Sequence, residues 1–158
     1  MMTLQGKTVL VTGATGFLGG ALCHRLAADG AHVKALARRP ERDRYIREIA
    51  NLDIIVGDIT DERRMHEIIA GCDVVFHAAA ALGGPLDHQR HVNVEGTRSV
   101  MTAASSGVQR VVHISTISVY GYKYAGDITE DTPPNPGRDA YHISKTEAEA
   151  VVREMGAA

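Results

Sequence analysis

The sequence predicts an α/β fold: a doubly wound parallel sheet of the Rossmann type with helices on both faces. Three observations carry this. Strand-like and helix-like segments alternate along the chain. The strand candidates are valine- and isoleucine-rich runs without polar alternation, as suits parallel strands buried on both faces. The first strand candidate runs into Thr12-Gly13-Ala14-Thr15-Gly16-Phe17-Leu18-Gly19, a glycine-rich turn that opens a helical pattern at Leu18, Leu22 and Leu26.

In order, strands are expected at Thr8–Val11, His32–Ala37, Asp53–Val56, Asp73–His77 and Arg110–Ser115. Helices are expected at Phe17–Asp29, Glu41–Ala50, Asp61–Ala70, Asp87–Ser105 and Ala140–Glu154. Gly30, Gly71 and Gly107 read as helix stops, and Asp61 as an N-terminal cap. Tyr120–Arg138, with Pro133, Pro134 and Pro136, is the one long irregular stretch.

Bulk properties narrow the function. A chain of 158 residues with 44% hydrophobic and 23% charged residues reads as one soluble globular domain. A net charge of -2 gives no reason to expect nucleic acid or an anionic membrane as partner. No apolar run is long enough to span a bilayer, and the N-terminus leaves no room for a signal peptide before the first strand. Cys23 and Cys72 lack metal-ligand spacing, so packed thiols in a reducing cytoplasm are expected. No metal site is expected. His88 and His91 lack a third ligand at useful spacing, and His24, His32, His66 and His113 suggest nothing.

The glycine turn suits the pyrophosphate of a dinucleotide. Free N–H groups at a helix start point at the anion, and the helix dipole favours negative charge there. At the end of the second strand an acid would suit the ribose of NAD, and an arginine the 2′-phosphate of NADP. This chain has Arg38 and Arg39, with Arg42 and Arg44 beyond, which favours NADP over NAD; the competing reading is a solvated basic face. Asp58 either accepts from the adenine or caps the turn into the next helix. Ala78-Ala79-Ala80 would let a cofactor lie close to backbone, and His77 reads as a packed histidine. Tyr141 and Lys145 share a helix face four residues apart, so the ammonium is expected to lower the tyrosine pKa and suit it to acid–base work. The strand ending in Ser115-Thr116 can place a hydroxyl beside the phenol.

Taken together, Thr12–Gly19, Gly57-Asp58, His77–Ala80, Asn93, Ser115–Gly121 and Tyr141–Lys145 resemble the extended short-chain dehydrogenase/reductase, or NAD-dependent epimerase/dehydratase, family. The resemblance covers the whole chain. It implies catalytic roles for Thr116, Tyr141 and Lys145. It implies cofactor contacts from Gly13, Thr15, Gly16, Phe17, Leu18, Gly19, Arg38, Asp58, Ile59, Ala78, Ala79, Ala80, Asn93, Tyr141 and Lys145, with Asn93 near the nicotinamide. The implied activity is NADP- or NAD-dependent hydride transfer at an alcohol or keto carbon of a sugar nucleotide or similar small substrate. A steroid- or flavonoid-type ketone reductase and a non-catalytic nucleotide-binding sensor are the alternatives. Position 142 is His where many members carry Gly, which bears on substrate fit. Members usually continue into further strands and a substrate domain, so residues 1–158 are expected to be an NAD(P)-binding domain without its substrate half. A homodimer through the last two long helices is expected, because Val92, Val94, Val100, Met101 and Ala104 spread apolar surface around one of them.

Overall fold

The computed structural model describes residues 3–39, 46–121 and 126–156. Five parallel strands form one sheet in the order β3-β2-β1-β4-β5. They are β1 (Thr8–Thr12), β2 (His32–Ala37), β3 (Leu52–Val56), β4 (Val74–His77) and β5 (Arg110–His113). The helices are α1 (Phe17–Ala28), α2 (Glu62–Ile69), α3 (Leu86–Arg90), α4 (Gly96–Ala104) and α5 (Ala140–Gly156).

Side chains alternate across a strand, so β1 divides the core. Val9 and Val11 pack with Cys23 and Leu26 of α1, while Leu10 packs with Met65 of α2 and Val100 of α4. Both faces of the sheet are therefore covered, which is why the strands read as unbroken apolar runs. β1 pairs with β2 on one side and β4 on the other. The winding reverses between β1 and β4, and a crevice opens there at the strands' C-terminal ends.

Local chemistry ends the helices where the sequence indicates. The N–H of Ala31 bonds the Leu26 carbonyl and that of Gly30 the Ala27 carbonyl, both at 3.0 Å, closing α1 in a Schellman turn. Asp61 caps α2, accepting from the Arg64 N–H at 2.9 Å.

Three expectations change. The helix at Glu41–Ala50 is not seen where it can be checked. Residues 41–45, with Arg42 and Arg44, lie outside the described residues, and 46–50 form turns. Asn51, at φ 59, then swings the chain into β3. The helix expected at Asp87–Ser105 is continuous over Leu86–Ala104, but a π-helical turn at His91–Glu95 lies between α3 and α4. β5 ends at His113, although the Ile114 N–H still bonds the His77 carbonyl at 3.0 Å, and Thr116, in extended conformation, leads into a 3-10 turn at Ile117–Tyr120.

The apolar spread around α4 has an internal explanation. Val92, Val100, Met101 and Ala104 are all buried within this chain, with α2 and α5 packed against α4. That spread therefore supplies no argument for a second copy. Among the described residues no helix is long and apolar enough to cross a membrane.

Candidate active site

The crevice is a groove of about 580 Å3. It is lined by Gly13, Thr15, Gly16, Phe17, Leu18 and Gly19 from the first turn, by Arg38 and Asp58-Ile59 from the ends of β2 and β3, and by Ala78–Ala80 after β4. These are cofactor positions named from sequence. Leu36, Arg39, Gly57, Leu82 and Val92 also line it. Arg39 and Gly57 stand in motifs that the sequence marks, and Val92 is one of the apolar residues expected around a long helix; Leu82 carries no local signal.

The groove has the shape a dinucleotide requires. Gly13 sits at φ +69, and a Cβ there would lie 2.8 Å from the Ala79 nitrogen. A Cβ on Gly19 would lie 2.1 Å from the Gly13 oxygen, so only glycine lets α1 start this close to the turn. No side chain caps the start of α1, where Gly16 is the N-cap. Its first-turn N–H groups thus remain open toward the groove, with the positive end of the helix dipole behind them. The pyrophosphate of a dinucleotide fits this cradle.

At the far end of the groove, Arg38 approaches Asp58 at 3.9 Å, both partly exposed. The other Asp58 oxygen accepts from the N–H and hydroxyl of Thr60, each at 3.0 Å. The turn-capping role considered for Asp58 is therefore realised, beside its place in the groove wall.

The groove floor is held by a directional chain of hydrogen bonds. The Ala79 N–H donates to Thr12 Oγ1 at 3.1 Å, and that hydroxyl meets His77 Nδ1 at 2.8 Å. His77 Nε2 meets Thr97 Oγ1 at 3.0 Å, and Thr97 donates its proton to the Asn93 carbonyl at 2.6 Å. Since Thr97 spends its proton on that carbonyl, His77 must donate from Nε2 and accept at Nδ1. His77 is a buried neutral histidine; burial, then His113 and Lys145, hold its pKa well below 6.5.

Asn93 does not line the groove. Its side chain pairs with both the N–H (2.7 Å) and the C=O (3.0 Å) of Ala81, and donates to Ser144 Oγ at 3.0 Å. It is 2% exposed, its amide is spent, and it acts on the groove only through the loop it holds.

Thr116, Tyr141 and Lys145 lie at the β5–α5 end, outside the groove lining. Asp139 starts α5 by accepting from the N–H groups of Tyr141 (2.9 Å) and His142 (3.2 Å). Lys145 is buried and donates to the Ile114 carbonyl at 2.7 Å, with His113 Nε2 at 3.3 Å. Burial lowers its pKa to about 8, with Glu149 acting in the opposite sense. Thr116 caps the 3-10 turn, its Oγ1 lying 3.0 Å from Ser118 Oγ. The expected lowering of the Tyr141 pKa is not found: burial raises it. The ammonium meant to lower it is engaged by the end of β5. His113, which carries no signal in the sequence, is a buried histidine flanking Lys145.

Fold and site together define a Rossmann-type α/β chain with a glycine turn opening on a groove at the sheet's C-terminal edge, and with Tyr141 and Lys145 at the neighbouring strand end. The chain belongs to the NAD dependent epimerase/dehydratase family, whose model matches residues 9–158. It is 35% identical over 147 residues to the 4-hydroxy-2-methyl-3-oxo-4-farnesyl-3,4-dihydroquinoline-1-oxide ketoreductase of Stigmatella aurantiaca, covering 90% of this chain and 44% of that protein. Its fold matches Bordetella bronchiseptica WbmH in complex with NAD+ at a TM-score of 0.86 and 28% identity, over 96% of this chain and 54% of that one. It matches the Bacillus cereus UDP-glucuronic acid 4-epimerase in complex with NAD at 0.84 and 27%, over 95% and 52%. The chain thus spans about half the length of these relatives.

Proposed function

We propose that the protein is an NAD(P)-dependent oxidoreductase or epimerase of the extended short-chain dehydrogenase type. Its substrate would be a sugar nucleotide or a similar small molecule, reacting at an alcohol or keto carbon. One observation carries the reading. The open helix start at the glycine turn shares a sheet edge with Lys145, which is anchored on the end of β5 one helical turn from Tyr141.

In this reading the first-turn amides of α1 bind the pyrophosphate, and Ala78–Ala80 give the cofactor a flat floor. Bound nicotinamide supplies the hydride chemistry. Tyr141 moves the substrate hydroxyl proton, and Thr116 Oγ1 orients that oxygen. Lys145, held at the end of β5, would hold the nicotinamide ribose. The test is Tyr141→Phe in the intact enzyme. Turnover should fall about 10²–10⁴-fold with cofactor binding little changed; near wild-type turnover would refute the assignment.

Arg38 and Arg39 in the groove wall, with no acid at the end of β2, support NADP over NAD, although the two solved structures named above are complexes with NAD. Arg38→Ala should weaken NADP binding about tenfold, the worth of one charge-assisted contact, and leave NAD unaffected. Tighter NAD than NADP binding in the wild type would reject the preference. The buried, unpaired Cys23 and Cys72 support a cytoplasmic setting.

An apolar ketone is the second reading. The Stigmatella relative is named a ketoreductase. Phe17, Leu82 and Ile117 are 99%, 76% and 69% exposed. Comparing turnover of a UDP-sugar with that of an alkyl or aryl ketone separates the two.

A further inference from the structure

The end of β5 is sewn to α5 at consecutive positions. His113 and Ile114 meet Lys145, and the Ser115 hydroxyl donates to Glu149 Oε1. Glu149 lies one helical turn beyond Lys145, on the same face. Its carboxylate is largely covered, with 17% of the side chain exposed, and its second oxygen takes Arg153 at 3.0 Å. Thr116 is the next residue after this seam. The spacing of Thr116 from the Tyr141–Lys145 face is therefore set where Glu149 grips Ser115.

We propose that Glu149 is a positioning residue that fixes the end of β5 against α5 and, from that seam, acts on the Lys145 ammonium. Its importance for turnover rests on the proposed function; its effect on Lys145 does not. The charged and titratable groups around Lys145 are Tyr141, Glu149 and Arg153 on α5, His113 on β5 and His77 on β4. On α3, Arg90 is engaged by Glu147 at 2.7 Å. His113 and His77 are held neutral by burial, so among the described residues Glu149 is the anion whose charge acts on the ammonium. The carboxylate favours the ammonium that burial disfavours.

The test uses this chain with 13C-labelled lysine ε-carbons, following the Lys145 signal by NMR from pH 6 to 11 and assigning it with Lys145→Arg. Glu149→Gln keeps an acceptor for Ser115 but removes the charge. Its Lys145 midpoint should fall by about half a unit or more. Glu149→Asp restores the charge and should recover most of that shift. Ser115→Ala keeps the charge and should leave the midpoint near wild type. A Glu149→Gln midpoint within about 0.2 unit of wild type overturns the proposal. So does a shift in Ser115→Ala equal to that in Glu149→Gln. If Glu149→Gln does not fold, Arg153→Gln answers from the surface: removing the competing cation should raise the midpoint, and no rise overturns the proposal. NADPH and NADH titrations of the wild type run alongside. Failure to bind either counts against the proposed function, while the lysine titration still decides the role of Glu149.

Discussion

Gly19 and Gly20 are neighbours in α1 with opposite requirements. A methyl on Gly19 would meet the Gly13 carbonyl oxygen at 2.1 Å, and neither backbone segment can yield without moving the turn. A methyl on Gly20 meets only the Ala14 oxygen at 3.5 Å, an ordinary contact. Helix propensity favours alanine at both, so the contact decides the sign. Gly19→Ala should destabilise the chain by about 1–3 kcal/mol, the usual cost of overpacking, and abolish dinucleotide binding. Gly20→Ala should stabilise it by about 0.5–1 kcal/mol and leave binding intact. Urea denaturation with cofactor titration on both variants checks this. Equal effects would mean that the glycine turn is looser than its geometry implies.

Between α3 and α4, the π-helical turn at His91–Glu95 carries Asn93 in a position that no regular helix pattern announces. Asn93 is the clasp between the loop after β4 and α5, because it satisfies both backbone groups of Ala81 and reaches Ser144. Asn93→Ala would leave the half-buried N–H and C=O of Ala81, and the buried Ser144 hydroxyl, without this partner. It should cost about 2–4 kcal/mol in urea denaturation and weaken cofactor binding by freeing the groove floor. Unchanged stability would show that water replaces the amide. The same element marks the boundary of what the sequence made legible. The glycine turn, the apolar strand runs, the stops at Gly30 and Gly71 and the cap at Asp61 are local, so their reasons lie within a few residues of themselves. They gave the sheet and the phosphate side of the groove. Asn93 was noticed, but its partner Ser144 lies on another element. His113 gained meaning only when β5 was laid against α5. The groove-wall residues Leu82 and Val92 likewise come together through strand order.

Parallel pairing of β4 with β5 sets His77 opposite His113, their ring centroids 5.3 Å apart, with Lys145 held against the second ring. The described residues therefore include two histidines whose neutral form the fold favours. Burial is the first cause for each: it holds His77 well below 6.5 and brings His113 to about 4, and neighbouring positive charge adds to it. The ordinary histidine value of 6.5 applies once the chain unfolds. Between that value and the depressed folded one, the unfolded chain binds protons that the folded chain refuses. Stability must then rise with pH across the window and fall as pH drops below 6.5. Two such groups give a slope of about 2.7 kcal/mol per pH unit near pH 5, twice the ~1.4 kcal/mol that accompanies one proton. For His113 this loss is complete near pH 4; for His77 it continues lower. Lys145 adds a separate limb of the same sign. Its folded value of about 8 lies below the ordinary 10.5, so stability should climb again between pH 8 and 10.5. Urea titrations at half-unit steps from pH 5 to 10 would trace both limbs. His113→Gln, which keeps a polar side chain without a titrating ring, should halve the acidic slope and leave the alkaline limb in place. An acidic slope unchanged in that variant would mean that His113 is already protonated in the fold beside Lys145, contrary to the geometry that places the two nitrogens 3.3 Å apart.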